Sequence, residues 1–361
     1  MVDRMETAVR SKTPFLVATP NINFVVNGAL DERFRDTLVF SDLCAADGKW
    51  LVWLGRLIGV PLGDRVAGAD ILEALKRGRA KEDPLKVLVF GGPAGGAERA
   101  SQAINGREDG LHCVGAVNPG FGSVAQMSTD KAIAAVNSSR ADFLLVALGA
   151  KKGQMWLHEN HRRLSIPVRA HLGAAVNFYS GAIKRAPRWL QRCGLEWAWR
   201  IKEEPELWRR YAHDASHMVR FFFRAILPLL AWSWYLKFSD TARRQELSLT
   251  EASHLGQRVI SLKGFLTGRN VETIAAKLRA AIAANEDVVM DLSGARAVDA
   301  RFAGLLLMWE KTLRLAGRKP RFVGGSPLIE SLLRLYGLRM PRATPAATVD
   351  PAGHVGITPA E

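Results

Sequence analysis

Apolar residues gather in short runs up to about residue 205. The runs FLVATP from Phe15, VLVFGG from Val87, HCVGAV from His112, FLLVALG from Phe143 and VRAHLG from Val168 read as buried strands, most of them closed by Gly or Pro. Amphipathic stretches such as GADILEALKRGRA and TDKAIAAVNSSRA separate them and read as helices. Strand and helix in alternation predict an α/β fold, an open and mostly parallel sheet with helices on both faces.

The pattern changes at Glu203-Glu204-Pro205. From Leu207 to Lys237 the chain is rich in Trp and Phe and studded with Arg. Such a segment suits an interface, because Arg stems lie along apolar surface while their heads reach water or lipid phosphate. A second compact unit begins near Leu247, where strand and helix patterns alternate again: GQRVISLKGFLT, NVETIAAKLRAAIAA, DVVMDLSG, FAGLLLMWEKTLRLAG, PRFVGG and SPLIESLLRLYGL, with Ser326 as N-cap and Pro327 in the first turn. The expected division is residues 1–205, a basic aromatic helical appendage or linker at 206–246, a smaller α/β domain at 247–340, and an Ala/Pro/Thr-rich tail at 341–361 that reads as disordered.

Composition narrows the partners. The net charge of +15 suits a polyanion: nucleic acid, an anionic membrane or a phosphorylated substrate. No helix-turn-helix, RNP or zinc-finger spacing supports nucleic acid. Cys44, Cys113 and Cys193 stand far apart, which indicates neither a zinc site nor a disulfide framework and fits a reducing cytoplasm. The N-terminal residues lack the apolar core of a signal peptide, and no apolar run reaches the roughly 18 residues a spanning helix needs. The closest, Phe221 to Leu236, contains Arg224 and Pro228.

Two local patterns can carry chemistry. FGGPAGGAERA follows a strand and opens a helix; it is either a tight turn or a place where backbone N–H groups meet phosphate. Asp47-Gly48 precedes the apolar helical segment KWLVWLGRLIG; Asp47 is either a helix cap or a carboxylate placed to accept a proton. His158 with His161, and His213 with His217, stand at helical spacing, but no third ligand accompanies either pair, so no metal is expected.

Taken in order, Thr19-Pro20-Asn21, Asp47-Gly48, Arg65 to Asp70 (RVAGAD), FGGPAGGAERA, Asn118 to Gly122 (NPGFG), Ser180 to Trp189 (SGAIKRAPRW) and Gly194 to Pro205 (GLEWAWRIKEEP) resemble the WecG/TagA/CpsF glycosyltransferases over nearly all of residues 13–211. The resemblance implies a Rossmann-like domain. It also implies inverting transfer, without a required metal or other cofactor, from a UDP-sugar to a polyprenyl-diphosphate-linked acceptor in exopolysaccharide or other cell-surface polysaccharide synthesis, with the N-acetylhexosamines favoured. It implies Asp47 as base, with Thr19 and Asn21 beside it, and Arg65 in the substrate site. The expected substrate contacts are completed by Gly91, Gly92, Gly149, Lys152, Asn177, Lys184 and Arg185. Inverting transfer needs one carboxylate for the acceptor proton, and cations or N–H donors for the departing diphosphate.

Departures from the family pattern fall at Gly153, Gln154 and Asn177, where the family carries Gln and acidic residues. They bear on sugar specificity, and they motivate the alternative of a catalytically degenerate UDP-sugar-binding regulator or scaffold. From Lys184 to Arg224 ten Lys or Arg face five Asp or Glu. Arg209, Arg210, Arg220 and Arg224 are the expected membrane or acceptor contacts, against a solvated face or domain interface. This places the protein in the cytoplasm, peripheral on the inner face of the cell membrane. Residues 248 to about 340 resemble a STAS domain through VVMDLSGARAVDARFAGLLL. Asp299 is followed by Ala300 and Arg301, so the hydroxyl that switching members phosphorylate is missing. Docking, within a homo-oligomer or to a protein partner, is the expected role, against a passive appendage.

Overall fold

The computed structural model describes the chain except residues 78, 80, 81, 108, 180, 182, 185, 240–246, 255, 256, 339–346, 350–354 and 358–361. It forms two compact units, Met1–Leu54 with Leu62–Phe221, and Gly55–Pro61 with the chain from Phe222 onward.

The first unit is built on six strands: β1 Phe15–Ala18, β2 Leu43–Cys44, β3 Leu85–Gly91, β4 Leu111–Val117, β5 Phe143–Ala147 and β6 Val168–His171. Their order is β2-β1-β6-β5-β3-β4, and every pairing is parallel. The apolar runs mark these strands because a parallel sheet covered on both faces buries consecutive side chains. Two cores result. Val17, Val87, Val89, Leu145 and Val168 face one, and Leu16, Leu88, Phe90, Leu144 and Val146 face the other. The two-residue β2 escaped the sequence reading because it is too short to show a period.

The helices are α1 Val2–Ser11, α2 Ile22–Leu30, α3 Glu32–Val39, α4 Lys49–Leu57, α5 Gly68–Lys76, α6 Gly96–Asn105, α7 Asp130–Ser138, α8 Ala150–Glu159, α9 Gly173–Tyr179, α10 Arg188–Arg192, α11 Glu196–Glu203 and α12 Leu207–Phe221. From β3 the chain passes through α6 outward to β4. From β5 it passes through α8 the opposite way to β6. Adjacent strands whose connections leave in opposite directions open a crevice at their carboxyl ends, where ligands of open α/β sheets bind. Here that crevice lies between Gly91 and Ala147, partners across the β3–β5 ladder.

The aromatic, Arg-rich stretch is helical but not uniform. After α12, Phe222–Ile226 forms a π-helical turn, and α13 follows at Leu227–Phe238. Pro228 lies in the first turn of α13, where its missing N–H interrupts the ladder. Among the described residues no helix is long and apolar enough to cross a membrane.

In the second unit, β8 Gln257–Leu266, β9 Asp287–Asp291, β10 Ala295–Val298 and β11 Arg321–Val323 run parallel in the order β10-β8-β9-β11, and β7 Ser248–His254 pairs antiparallel with β8. Helices α14 Val271–Ala283, α15 Ala300–Leu315 and α16 Pro327–Leu335 cover the sheet. Leu229 of α13 joins this core, and Trp232 Nε1 donates to Val298 O at 2.7 Å. Asp299 caps α15, accepting from Phe302 N at 2.8 Å and from Gly268 N at 2.7 Å. Ser326 caps α16 as expected. Most of the tail lies outside the described residues. Within it, Ala347–Val349 and Val355–Ile357 pair as antiparallel strands.

Gly153 of α8 has no room for a side chain: a Cβ there would overlap the His171 ring. Gly153→Ala should therefore cost roughly 1–3 kcal/mol of stability, the usual penalty of overpacking. Adding His171→Ala should make the pair less destabilised than the sum of the two single variants. Urea unfolding of the four proteins checks this, and simple additivity would contradict it.

Candidate active site

The segments leaving the carboxyl ends of the parallel strands carry most of the residues singled out from the sequence. Thr19 and Asn21 follow β1, Asp47 follows β2, Gly91 ends β3 with Gly92 just beyond it, and Gly149 follows β5. Backbone bonds knit these segments together. Asp47 N donates to Pro20 O at 2.8 Å, and Val66 N donates to Ala46 O at 2.9 Å. The Thr-Pro-Asn, Asp-Gly and Arg-Val-Ala-Gly motifs thus meet in one loop cluster.

Gly48, with φ 135°, turns the chain into α4, and its carbonyl accepts from Val52 N at 3.3 Å. Among the described residues no hydrogen bond or ion pair reaches the Asp47 carboxylate. The helix-cap reading of Asp47 therefore finds no bond here, unlike Asn21, whose Oδ1 accepts from Phe24 N at 3.3 Å and caps α2. Burial pushes the Asp47 carboxyl up to about 7, reinforced by the negative charges of Glu196 and Asp70 and opposed by Arg65 and Arg200. A carboxylate with its pKa near neutrality, and with no partner of its own, is suited to exchange a proton with a substrate.

Arg65 does not offer a bare cation. Its guanidinium pairs with Glu196, lies 3.5 Å from Asp70, and donates to Gln191 Oε1 at 3.3 Å. Glu196 belongs to the GLEW block, so this ion pair locks α11 to the loop cluster. Trp50 Nε1 adds a bond to Gly194 O at 3.2 Å. Sequence reasoning assigns a role to Arg65 but none to Glu196 or Asp70, whose place inside the quoted motifs is the signal that points to them. A cleft of about 1030 Å³ opens beside the cluster, lined among others by Lys49, Arg65, Asp70, Tyr179 and Gln191. Asp47 and the glycine turn are not on its wall, so the cleft adjoins the loop cluster and does not contain it.

The glycine turn is built for close approach. Gly91, Gly92 and Gly95 have φ of 84°, 111° and 67°, and a Cβ on Gly91 would stand 2.6 Å from Leu148 Cδ2. The N-termini of α6 and α8 flank the crevice, and their dipoles favour a phosphate there. His171, which the sequence reading missed, fixes the second wall: its Nε2 lies 2.5 Å from Leu148 O. Burial holds its pKa below the ordinary histidine value, with the Leu148 carbonyl opposing.

Other expected contacts lie further out. Lys152 Nζ donates to Gly122 O at 3.0 Å, tying α8 to the NPGFG loop. Gln154 is wholly buried, and its Nε2 donates to Ser41 Oγ at 3.2 Å. Its side chain serves the core under α8. Asn177 is half-buried on α9. Lys184 is exposed, and its carbonyl accepts from Trp199 Nε1 at 3.0 Å. Arg185 lies outside the described residues. Arg209 and Arg210 sit over the rings of Trp208 and Tyr211 at 5.9 and 5.1 Å, Arg220 is exposed on α12, and Arg224 is exposed in the second unit. A further anchor is Asp214, buried on α12, which accepts from Asn23 Nδ2 at 3.0 and 2.9 Å and pins α12 to α2. The His213 and His217 rings lie 4.4 Å apart, tilted by 52°, and among the described residues no cluster of metal-ligating side chains forms.

Residues 1–231 match the model of the glycosyl transferase WecG/TagA/CpsF family, and residues 249–340 that of the Mlab, STAS domain. A relative in Bacillus spizizenii, named N-acetylglucosaminyldiphosphoundecaprenol N-acetyl-beta-D-mannosaminyltransferase, is 28% identical over 58% of this chain and 79% of its own. Relatives of the same name in Bacillus subtilis and Staphylococcus aureus are 26% and 22% identical, covering 56% and 58% of this chain and 77% and 80% of theirs. A solved structure of the anti-sigma factor antagonist SpoIIAA in its unphosphorylated form is 24% identical, covering 27% of this chain and 90% of that one, with a TM-score of 0.24.

A carboxyl whose pKa is raised to about 7 from 3.8 keeps its proton in the folded state where the unfolded chain has lost it. Its contribution to stability is therefore present below about pH 4 and falls as pH rises through 7. Asp47→Asn should be more stable than the parent at pH 8 and no more stable at pH 4. Chemical denaturation at both pH values checks the sign.

Proposed function

This chain belongs to the WecG/TagA/CpsF family of glycosyl transferases, and from that premise we propose that it moves a sugar of the N-acetylhexosamine class from a UDP-sugar to a polyprenyl-diphosphate-linked acceptor. The product would be an intermediate of a cell-surface polysaccharide. The observation that carries the reading is the Asp47 carboxyl, raised to about 7 at the carboxyl edge of the sheet and without a hydrogen-bonding partner among the described residues. The acceptor named in the three relatives is a diphosphoundecaprenol sugar, which supports the lipid-linked class.

In the proposed reaction the acceptor hydroxyl oxygen attacks the anomeric carbon of the donor in line. The bond from that carbon to the diphosphate oxygen breaks, UDP leaves, and the hydroxyl proton passes to Asp47. Charge developing on the diphosphate is met by backbone N–H groups at the Gly91–Gly92 turn and the α6 N-terminus. Arg65 balances the carboxylates around Asp47, so that the base is neither fully quenched by a cation nor fully suppressed by its acidic neighbours. Thr19, buried behind the Asp47 loop, and Asn21, capping α2, hold the loop cluster in shape. The exposed Arg209, Arg210 and Arg220 of the first unit supply positive charge to an anionic lipid surface. The STAS domain would serve as a docking module, since Ala300 and Arg301 leave no hydroxyl beside Asp299 for phosphorylation.

UDP release should be measured with a panel of UDP-sugars and polyprenyl-diphosphate-linked N-acetylglucosamine as acceptor. Acceptor-dependent release is expected, lowered by about two orders of magnitude or more in Asp47→Asn. Binding of UDP-sugars without turnover by the parent would overturn the enzymatic reading in favour of a sugar-nucleotide sensor.

The pH profile gives a second check. A base with pKa about 7 predicts a rate that rises with pH up to and through 7. Glu196→Gln removes the nearest acidic influence and should move the rising limb to lower pH. A limb that stays in place would separate Glu196 from Asp47.

A further inference from the structure

Five of the large apolar side chains that the first unit leaves in water are aromatic and lie in segments that follow β2, β4 and β6. Trp50 and Trp53 stand one turn apart on α4, 46% and 44% exposed, and this helix follows β2. Phe121, 92% exposed, is at the tip of the loop after β4. Trp189 at 63% and Trp197 at 44% lie on α10 and α11, in the chain that follows β6. Because all six strands are parallel, each of these segments leaves the same carboxyl edge that carries Asp47. Local contacts hold three of these rings in place: the Trp50 and Trp53 rings meet at 5.2 Å, Trp50 Nε1 donates to Gly194 O in the turn before α11, and the Trp197 ring lies 6.3 Å from Tyr211.

Exposed tryptophans in this number are costly in water and unusual on a monomer surface. Their ring chemistry suits one environment in particular. Indole combines an apolar body with an N–H and settles at the headgroup level of a bilayer. The rim agrees, since Lys184, Lys202, Arg209 and Arg210 are exposed among these rings and present positive charge to anionic headgroups.

We propose that the carboxyl edge of the six-stranded sheet is itself the membrane-facing surface, with Trp50 and Trp53 of α4 and Trp189 and Trp197 of α10 and α11 seated in the bilayer interface around Asp47. This rests on the lipid-linked acceptor proposed above and deepens it. Asp47 stands three residues before Trp50, so a helix resting on the bilayer holds the base at the height where a diphosphate headgroup emerges. The acceptor then reaches Asp47 by lateral diffusion and does not have to leave the membrane. The partner is a lipid surface, and the insertion device is part of the catalytic unit.

The test uses the full chain and the variants Trp50→Ser/Trp53→Ser and Trp189→Ser/Trp197→Ser, with far-ultraviolet circular dichroism to establish folding. Co-sedimentation with phosphatidylglycerol–phosphatidylcholine vesicles at physiological salt should fall by about tenfold in each double variant. Trp50→Phe/Trp53→Phe, which keeps apolar rings, should retain most of the binding. The ratio of transfer to a vesicle-embedded long-chain acceptor over a water-soluble short-chain one should fall in parallel, a change that general loss of packing would not produce. Unchanged partition in both Ser variants overturns the proposal. So does a changed oligomeric state with unchanged vesicle binding, which would assign the patch to a protein contact. If the parent transfers sugar to neither acceptor, the proposed reaction fails, and vesicle partition alone still decides the surface.

Discussion

Everything in the catalytic unit depends on the parallel register of its six strands. Parallel pairing requires each connection to cross from the carboxyl edge back to the amino edge, so every strand exit falls on one side. Loops that are far apart in sequence, after β1, β2, β3 and β5, are thereby brought to a common edge. The reversal of connection direction between β3 and β5 opens the crevice there, and the positive φ of Gly91 and Gly92 lets the backbone turn into it without a side chain in the way. The site is in this sense a property of strand order before it is a property of any residue.

Within that frame the electrostatics are set by a balance of opposing charges. Arg65 is shared between Glu196 and Asp70, while Asp47 is left without a hydrogen-bonding partner among the described residues. Burial dominates its shift, and the neighbouring carboxylates outweigh the two arginines. Were Arg65 free to pair with Asp47, its charge would oppose the upward shift more strongly. The pair between Arg65 and Glu196 therefore has two consequences: it closes α11 onto the loop cluster and keeps the strongest nearby cation occupied.

The departures from the family pattern take on physical meaning at the same edge. Gly153 is obligatory because His171 fills the adjacent space, and His171 in turn bonds to the carbonyl that precedes Gly149. Gln154 is buried and bonded to Ser41. Two of the substitutions that the sequence placed beside the sugar thus act on the packing of α8 and on the shape of the crevice wall. They are mutually consistent with a well-formed site, whatever sugar it takes.

Much of this was legible in the chain alone. Short apolar runs closed by glycine gave five of the six strands of the first sheet, because a covered parallel strand must be apolar on both faces, and the motif order pointed to the family through residues near the carboxyl ends. The caps Asn21, Asp299 and Ser326 are local and follow from side-chain type. What the sequence could not determine is what long-range proximity creates. Glu196 lies 131 positions from Arg65, Asp214 lies 191 from Asn23, and His171 meets Gly153 across a helix and a strand. None of these pairs has a period or a spacing. The raised pKa of Asp47 belongs to the same class, since desolvation and the charges of residues distant in sequence exist only once the chain has closed around it. Sequence determined which groups were available and where the chain would turn; only the tertiary structure decided which charges would face one another, and how far from water.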